Sequence, residues 1–168
     1  MRPFRSFGVA AASIVGMACF GSVDVTKPPE LDGTQFMTAT VDGAEFRTGT
    51  LDVLRSGGRI SVVAVETDEA TNQAIIALYF PDGAPATYAL GDRFVAGAVS
   101  GNYGQFAIAP PTSVIWTTDS IRVGSLTITT LTATQVAGTF QFAAVADTAA
   151  ASPQVRTVTT GSFAAKFQ

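Results

Sequence analysis

The chain has 168 residues, of which 47% are apolar and only 14% are charged, and it contains one cysteine and no histidine. Thirteen acidic residues outnumber ten basic ones, and two of the ten, Arg2 and Arg5, lie in an N-terminal leader. Because no cluster of Lys or Arg occurs outside that leader, the charge pattern argues against nucleic acid as a partner. The length is sufficient for one domain with a sizeable core.

Residues 1–19 have the features of a secretory signal peptide. Two arginines give the start a positive charge, residues 7–18 form an apolar run, and small residues at Gly16 and Ala18 end it. The run is shorter than the roughly 20 apolar residues that a membrane-spanning helix needs. We therefore expect an extracytoplasmic protein.

Two cleavage patterns fit the end of the leader, and they differ in the fate of Cys19. Ordinary signal peptidase would cut after Ala18 and leave Cys19 unmodified. Alternatively, residues 15–19 resemble a bacterial lipobox, whose cysteine receives a diacylglyceryl thioether, although Val15 lies one position earlier than the usual branched residue. A sole cysteine has no disulfide partner in an oxidising compartment. We therefore predict lipidation of Cys19 and a bacterial membrane-anchored lipoprotein; a secreted or periplasmic soluble protein is the alternative.

Residues 20–35 are predicted to be a flexible tether. They show no sustained apolar periodicity, and Pro28 and Pro29 block strand pairing and favour an extended chain. Such a spacer would hold a lipid-anchored domain clear of the membrane headgroups. The alternative is an N-terminal extension without a role.

Residues 36–168 are predicted to form a single all-β domain, an antiparallel β-sandwich or flattened barrel of roughly nine to ten strands. Short apolar or alternating runs are separated by turn residues, and Asp42-Gly43 is the strongest hairpin signal. The predicted runs are 36–41, 44–51, 51–55, 60–66, 74–80, 87–90, 103–109, 113–118, 124–131, 136–146, 154–160 and 162–167.

Two of these runs, 60–66 and 74–80, are apolar on both faces. They are expected to be central strands that are covered on both sides. The alternative is that one face lines an apolar ligand cavity or a partner surface, as in small barrels that hold one ligand.

The residue types that are absent limit the chemistry. Without histidine there is no Ser-His-Asp or Cys-His site and no His-ligated metal, and Cys19 is placed for anchoring rather than catalysis. Asp68-Glu69, the only adjacent acidic pair, is expected in a solvated turn, with a weak calcium contact as the alternative. Asp42 and Asp82 precede glycines and are interpreted as turn formers. Glycine-rich residues 97–104 lack the lysine and helix of a phosphate loop and are expected to be a flexible connection. We expect no catalytic, metal-binding or cofactor-binding residue and no cofactor.

The last two runs share a motif, Gly-Thr-Phe at 138–140 and Gly-Ser-Phe at 161–163, which predicts their register. Pairing Ala146 with Val155 places Phe140 opposite Gly161 and Phe163 opposite Gly138. Each ring would then cover the bare backbone of a glycine. The alternative is that each glycine marks a β-bulge.

Four segments, "VDGAEF", "GSLTITTL", "VAGTFQF" and "TTGSFAAKF", resemble an uncharacterised family of predicted bacterial lipoproteins. In that family a D-G-x-x-aromatic hairpin opens an all-β domain, and a G-T-F strand pairs with a closing (N/T)-G-S-F strand. The resemblance spans residues 36–167, with Thr160 where Asn is commoner and Phe46 where Trp is common. It implies no established activity and no catalytic residue.

The sequence thus predicts a lipid-anchored, extracytoplasmic, non-enzymatic binding or structural module of the bacterial cell envelope, whose protein or small-molecule partner is unknown. The first alternative is a calycin-like carrier of a small apolar ligand, which needs a cavity of roughly 300 Å³ or more. The second is a hydrolase that uses two carboxylates, which needs acids converging in a cleft.

Overall fold

The computed structural model describes residues 34–67, 73–95, 98–99, 101–109, 113–147 and 154–168. The regular elements within these ranges are all β-strands: β1 Phe36–Val41, β2 Ala44–Thr48, β3 Leu51–Ser56, β4 Arg59–Thr67, β5 Gln73–Pro81, β6 Thr87–Leu90, β7 Phe94–Val95, β8 Ala98–Val99, β9 Tyr103–Ala109, β10 Val114–Thr117, β11 Gly124–Leu131, β12 Gln135–Ala146 and β13 Val155–Lys166. The predicted signal peptide, Cys19 and most of the predicted tether lie outside the described residues.

The main sheet curls into a nearly closed antiparallel barrel. Nine strands follow one another in the order β2-β1-β13-β12-β10-β9-β5-β4-β3. Because β2 and β3 are separated only by Gly49 and Thr50, this corner joins the two ends of the sheet. Across the corner, Thr48 Oγ1 donates to the Val65 carbonyl at 2.6 Å and the Val65 amide donates to the Thr50 carbonyl at 3.1 Å. The predicted all-β antiparallel class is confirmed, and the sheet is barrel-like.

Strand β12 is the branch point of the sheet. One edge of β12 pairs with β13, whereas the other edge is shared between β11 and the end of β10, where Trp116 faces Ala146. Strand β6 extends the β11 branch. Twelve residues make β12 long enough to pair with both neighbours on this edge.

The β1–β2 and β3–β4 hairpins, which lie at the two ends of the sheet, have tight turns of the same type. Asp42 and Gly43, between β1 and β2, have φ of +49° and +89°, and Gly57 and Gly58, between β3 and β4, have φ of +59° and +74°. Positive φ at both central residues is the type I′ geometry that matches the twist of hairpin strands. The predicted Asp42-Gly43 hairpin is confirmed.

Apolar side chains fill the interior. Strands β4 and β5 point one face inward, with Val62 and Leu78 paired and both 0% exposed, while their second apolar face, including Val63 and Ile75, is partly exposed outside the barrel. The largest fully buried side chains are those of Phe46, Phe80, Phe163, Met37, Ile60, Ile76, Leu78, Leu90, Leu126, Val62, Val136 and Val158.

The predicted register holds where the N-terminal half of β12 pairs with the C-terminal half of β13. Gly138 faces Phe163 and Phe140 faces Gly161. The Phe140 ring lies against Gly161 so closely that a Cβ there would be 2.5 Å from a ring carbon. A different contact requires a glycine at position 138, because a Cβ there would lie 2.4 Å from the Thr127 carbonyl oxygen of β11. The predicted covering by the Phe163 ring is therefore wrong as the explanation for Gly138.

A β-bulge shifts the register where the C-terminal half of β12 pairs with the N-terminal half of β13. Gln141 of β12 faces both Thr159 and Thr160, and beyond it Val155 faces Val145 rather than the predicted Ala146. Thr160 has φ of +49°, and the predicted break between two closing strands is a bulge within the single strand β13. The extra residue turns the N-terminal half of β13 over, because one added residue exchanges the two faces of a strand.

The glycine-rich segment is more regular than predicted. Its residues 98–99 form β8 and pair with β7, and Tyr103 and Gly104 begin β9. Gly101 is buried, and its amide donates to the Arg93 carbonyl at 3.3 Å. These described residues therefore form paired strands rather than an irregular loop, and the predicted flexibility stays a prediction.

We expect Gly161→Ala to destabilise the domain by about 1–3 kcal/mol, because the added methyl group would overlap the Phe140 ring. Urea denaturation of the purified protein measures this change. Gly83→Ala is the matched control, since that glycine is exposed and its nearest neighbour, the Tyr88 hydroxyl, is 3.4 Å from the added Cβ. Phe140→Leu should recover part of the loss in the Gly161→Ala background; equal stability of wild type and Gly161→Ala would contradict the contact.

Candidate functional site

Three carboxylates of the described residues are engaged in ion pairs with arginines. Asp42, Asp82 and Asp119 form ion pairs with Arg156, Arg55 and Arg122 at 2.6, 3.0 and 3.0 Å. No group of three or more potential metal-ligating side chains occurs in the described ranges. Asp68 and Glu69 lie outside those ranges, so neither the solvated turn nor the calcium contact is tested.

A pocket of about 210 Å³ opens at one end of the barrel. We call this end the mouth; it is where the β1–β2 hairpin meets the ends of β4 and β9 and the starts of β5 and β13. The pocket is lined by Val41, Asp42, Ala44, Glu45, Phe46, Glu66, Ala74, Phe106, Ile108 and Arg156. Its volume is below the roughly 300 Å³ expected of a carrier.

The floor of the mouth pocket is aromatic. Phe46 and Phe106 are 2% and 5% exposed, and the Phe106 ring packs on Trp116 with centroids 5.6 Å apart. Ala44 and Ala74 also line the pocket. The floor of the pocket is therefore continuous with the core.

Arg156 forms the charged wall of the pocket. Its Nη1 donates to Asp42 Oδ2 at 2.6 Å, and its guanidinium carbon lies 5.0 Å from the centroid of the Trp116 ring, a cation–π contact. Its Nε is buried and has no hydrogen-bond partner among the described residues. The β13 bulge causes this inward placement, because Arg156 faces Ala144, whose side chain is 0% exposed.

Asp42 ties the hairpin tip to β13. Its Oδ1 accepts the Thr157 amide at 2.8 Å, and its own amide donates to the Thr157 carbonyl at 2.9 Å. Burial alone would raise the pKa of Asp42, but the hydrogen bonds from Arg156 and Thr157 and the guanidinium charge outweigh that effect and lower the pKa. Asp42 is thus a turn former, as predicted, and also an ion-pair partner, which the sequence did not indicate.

Glu66 leaves the rim of the mouth negative. Its Oε1 accepts the Arg47 amide at 2.7 Å. Asp42 compensates Arg156, whereas Glu66 has no cation among the side chains that line the pocket. Glu45 also borders the pocket, but it alternates with the inward Phe46 along β2 and lines an outer depression with Thr38 and Thr40, so its side chain lies on the outer face.

Depressions on the outer face of the barrel are less suitable as sites. Those around the bulge measure about 400, 400 and 320 Å³ and are open to solvent. Ser and Thr make up at least half of the lining residues in two of them, whereas the third also includes Val123, Phe142 and Val158. Several of these hydroxyls bond to one another, as in Thr40–Thr160 at 3.0 Å and Thr38–Ser162 at 3.2 Å. The mouth pocket is the better candidate because it has a buried apolar floor and a buried donor without a partner.

We expect the stability difference between wild type and Asp42→Asn to shrink as the pH falls below about 4, the pKa of an unperturbed aspartate. A carboxyl whose pKa is lowered by folding stabilises the protein above its unfolded pKa and loses that contribution as the pH falls through the folded pKa. Melting temperatures of both proteins between pH 7 and pH 2 measure this. A constant difference between wild type and Asp42→Asn over this range would refute the role given to its ion pair.

Comparison with known proteins identifies the domain. A family described as a domain of unknown function, DUF6252, matches residues 33–165, which include every strand bar the last residue of β13. No curated protein and no solved structure matches the chain. The predicted membership of an uncharacterised family is confirmed in this form, whereas its description as a family of lipoproteins stays a prediction. The chain belongs to the DUF6252 family.

Proposed function

We propose that this protein is a non-enzymatic binding module of the bacterial cell envelope, anchored through a lipid on Cys19. The main support for binding at the surface is that side chains fill the interior of the barrel. Twelve large side chains are fully buried inside it, so a partner would be bound at the mouth or on the outer face rather than enclosed.

The placement of β1 supports an anchored orientation. Strand β1 begins at Phe36, next to the predicted tether, and its other end at Val41 lines the mouth pocket. Five residue steps of a strand separate these ends by about 17 Å. A lipid at Cys19 and a tether over residues 20–35 would therefore join the barrel at the end away from the mouth, which leaves the pocket open to envelope partners.

The carrier and hydrolase alternatives have less support. A calycin-like carrier would enclose its ligand, but the pocket measures about 210 Å³ and opens at the end of a filled barrel. A hydrolase would need two carboxylates facing one cleft with one of them raised in pKa. The pKa of Asp42, in the pocket wall, is instead lowered by its bonds to Arg156 and Thr157, which prevail over burial.

No helix among the described residues is long and apolar enough to cross a bilayer. In this proposal, membrane attachment is assigned to Cys19 at the end of the predicted signal peptide.

We expect the mature protein, expressed in a bacterium that processes lipoproteins, to begin at Cys19, to carry acyl chains and to partition into detergent. Intact-mass spectrometry and membrane fractionation measure this. Cys19→Ala should yield an unacylated protein that leaves the membrane fraction. An unmodified mature chain, or identical fractionation of wild type and Cys19→Ala, would show that ordinary signal cleavage is correct.

A further inference from the structure

We propose that the mouth pocket binds an apolar group that carries a positive charge beside it, such as a phenylalanine-sized group next to an ammonium. This inference deepens the proposed binding role and rests on it. The ligand chemistry is shared by a small aromatic amine and by an apolar residue flanked by lysine in an extracytoplasmic polypeptide.

The volume sets the size of the apolar group. A dry cavity of about 150 Å³ accepts benzene, so about 210 Å³ leaves space for one aromatic ring or a branched alkyl group. The rings of Phe46 and Phe106 would contact this group from below. Burial of one such group against aromatic rings is the favourable apolar contribution to binding.

The rim sets the sign of the charge. Arg156 is held by Asp42 and lies over Trp116, so its charge is already compensated. Glu66 adds a negative charge to the lining. A cation placed beside the apolar group would meet this carboxylate, whereas an anion would be repelled.

A buried donor adds a third requirement. Arg156 Nε lacks a hydrogen-bond partner among the described residues, and a buried unpaired donor is costly. An acceptor such as an amide carbonyl on the ligand would satisfy it. A derivative of phenylalanine with an amide carbonyl and an ammonium therefore combines the three features.

Trp116 provides a direct signal for binding. It is the only tryptophan of the chain, and it contacts both Phe106 and Arg156 of the pocket wall. Its fluorescence should therefore respond when the pocket is occupied. The experiment titrates the full mature protein in detergent micelles with phenylalaninamide, N-acetylphenylalanine and the peptide acetyl-Ser-Phe-Lys-Ser-amide.

We expect saturable fluorescence changes with phenylalaninamide or the peptide and binding at least tenfold weaker for anionic N-acetylphenylalanine. Binding of the peptide alone would assign the site to a polypeptide, and binding of both cations would assign it to the shared chemistry. No saturable change with either cation, or equal binding of the anion, would overturn the proposal. Lipidation is measured separately by mass, so failure here and failure of the anchor are distinguishable.

Two variants test the location of the site. Ala74→Leu should abolish the fluorescence response by filling the pocket. Any signal that remains in this variant measures the uptake of the probes by the micelles and is subtracted. Glu66→Gln should weaken cation binding about fivefold. Asp52→Asn removes one charge outside the pocket and should leave binding unchanged. If both pocket variants bind like wild type, the assignment is wrong.

Discussion

The bulge at Thr160 determines what the barrel presents at its mouth. A strand without the extra residue would keep Val155 on the face of Phe163, and Val158 and Arg156 would point outward. With the bulge, Val158 pairs with Phe142 and is 0% exposed, while Arg156 turns into the barrel. The apolar core and the charged wall of the pocket both depend on this one residue.

The contacts on either side of the bulge explain why it persists. A β-branched residue at positive φ is strained by about 1–3 kcal/mol, and such a conformation persists only where its surroundings enforce it. On one side Gly161 is held against the Phe140 ring, and on the other side Asp42 holds Arg156 and Thr157. Thr160 itself bonds to Thr40 through its hydroxyl at 3.0 Å. The β1–β2 hairpin, through Thr40 and Asp42, therefore stabilises the β-bulge that shapes the mouth.

Local sequence signals predicted the elements that depend on neighbouring residues. The bounds of β1, β6, β9 and β11 agree with the predicted runs because each is bordered by turn residues. The pairing of Phe140 with Gly161 was also predictable, since a repeated Gly-x-Phe motif restricts the register. A bulge at the glycines was only the alternative to this register, and its position at Thr160 was not predictable, because threonine has no conformational preference for positive φ.

The candidate site was not predictable from the sequence, because it has no local motif. Phe46, Phe106 and Arg156 come from three strands far apart in the chain, and only barrel closure brings them together. Arg156 in particular lies on the inner face only because of the register shift. The branching of the sheet at β12 was missed for a related reason: one continuous apolar run gives no indication that its edge is shared by two strands.

Cross-strand nuclear Overhauser effects between backbone protons of β12 and β13 test the bulge most directly. We expect effects that link Phe142 with Val158, Val145 with Val155 and Phe140 with Gly161. Effects that link Ala146 with Val155 would mean an uninterrupted register. Arg156 would then lie outside the barrel, and the mouth pocket described here would not exist.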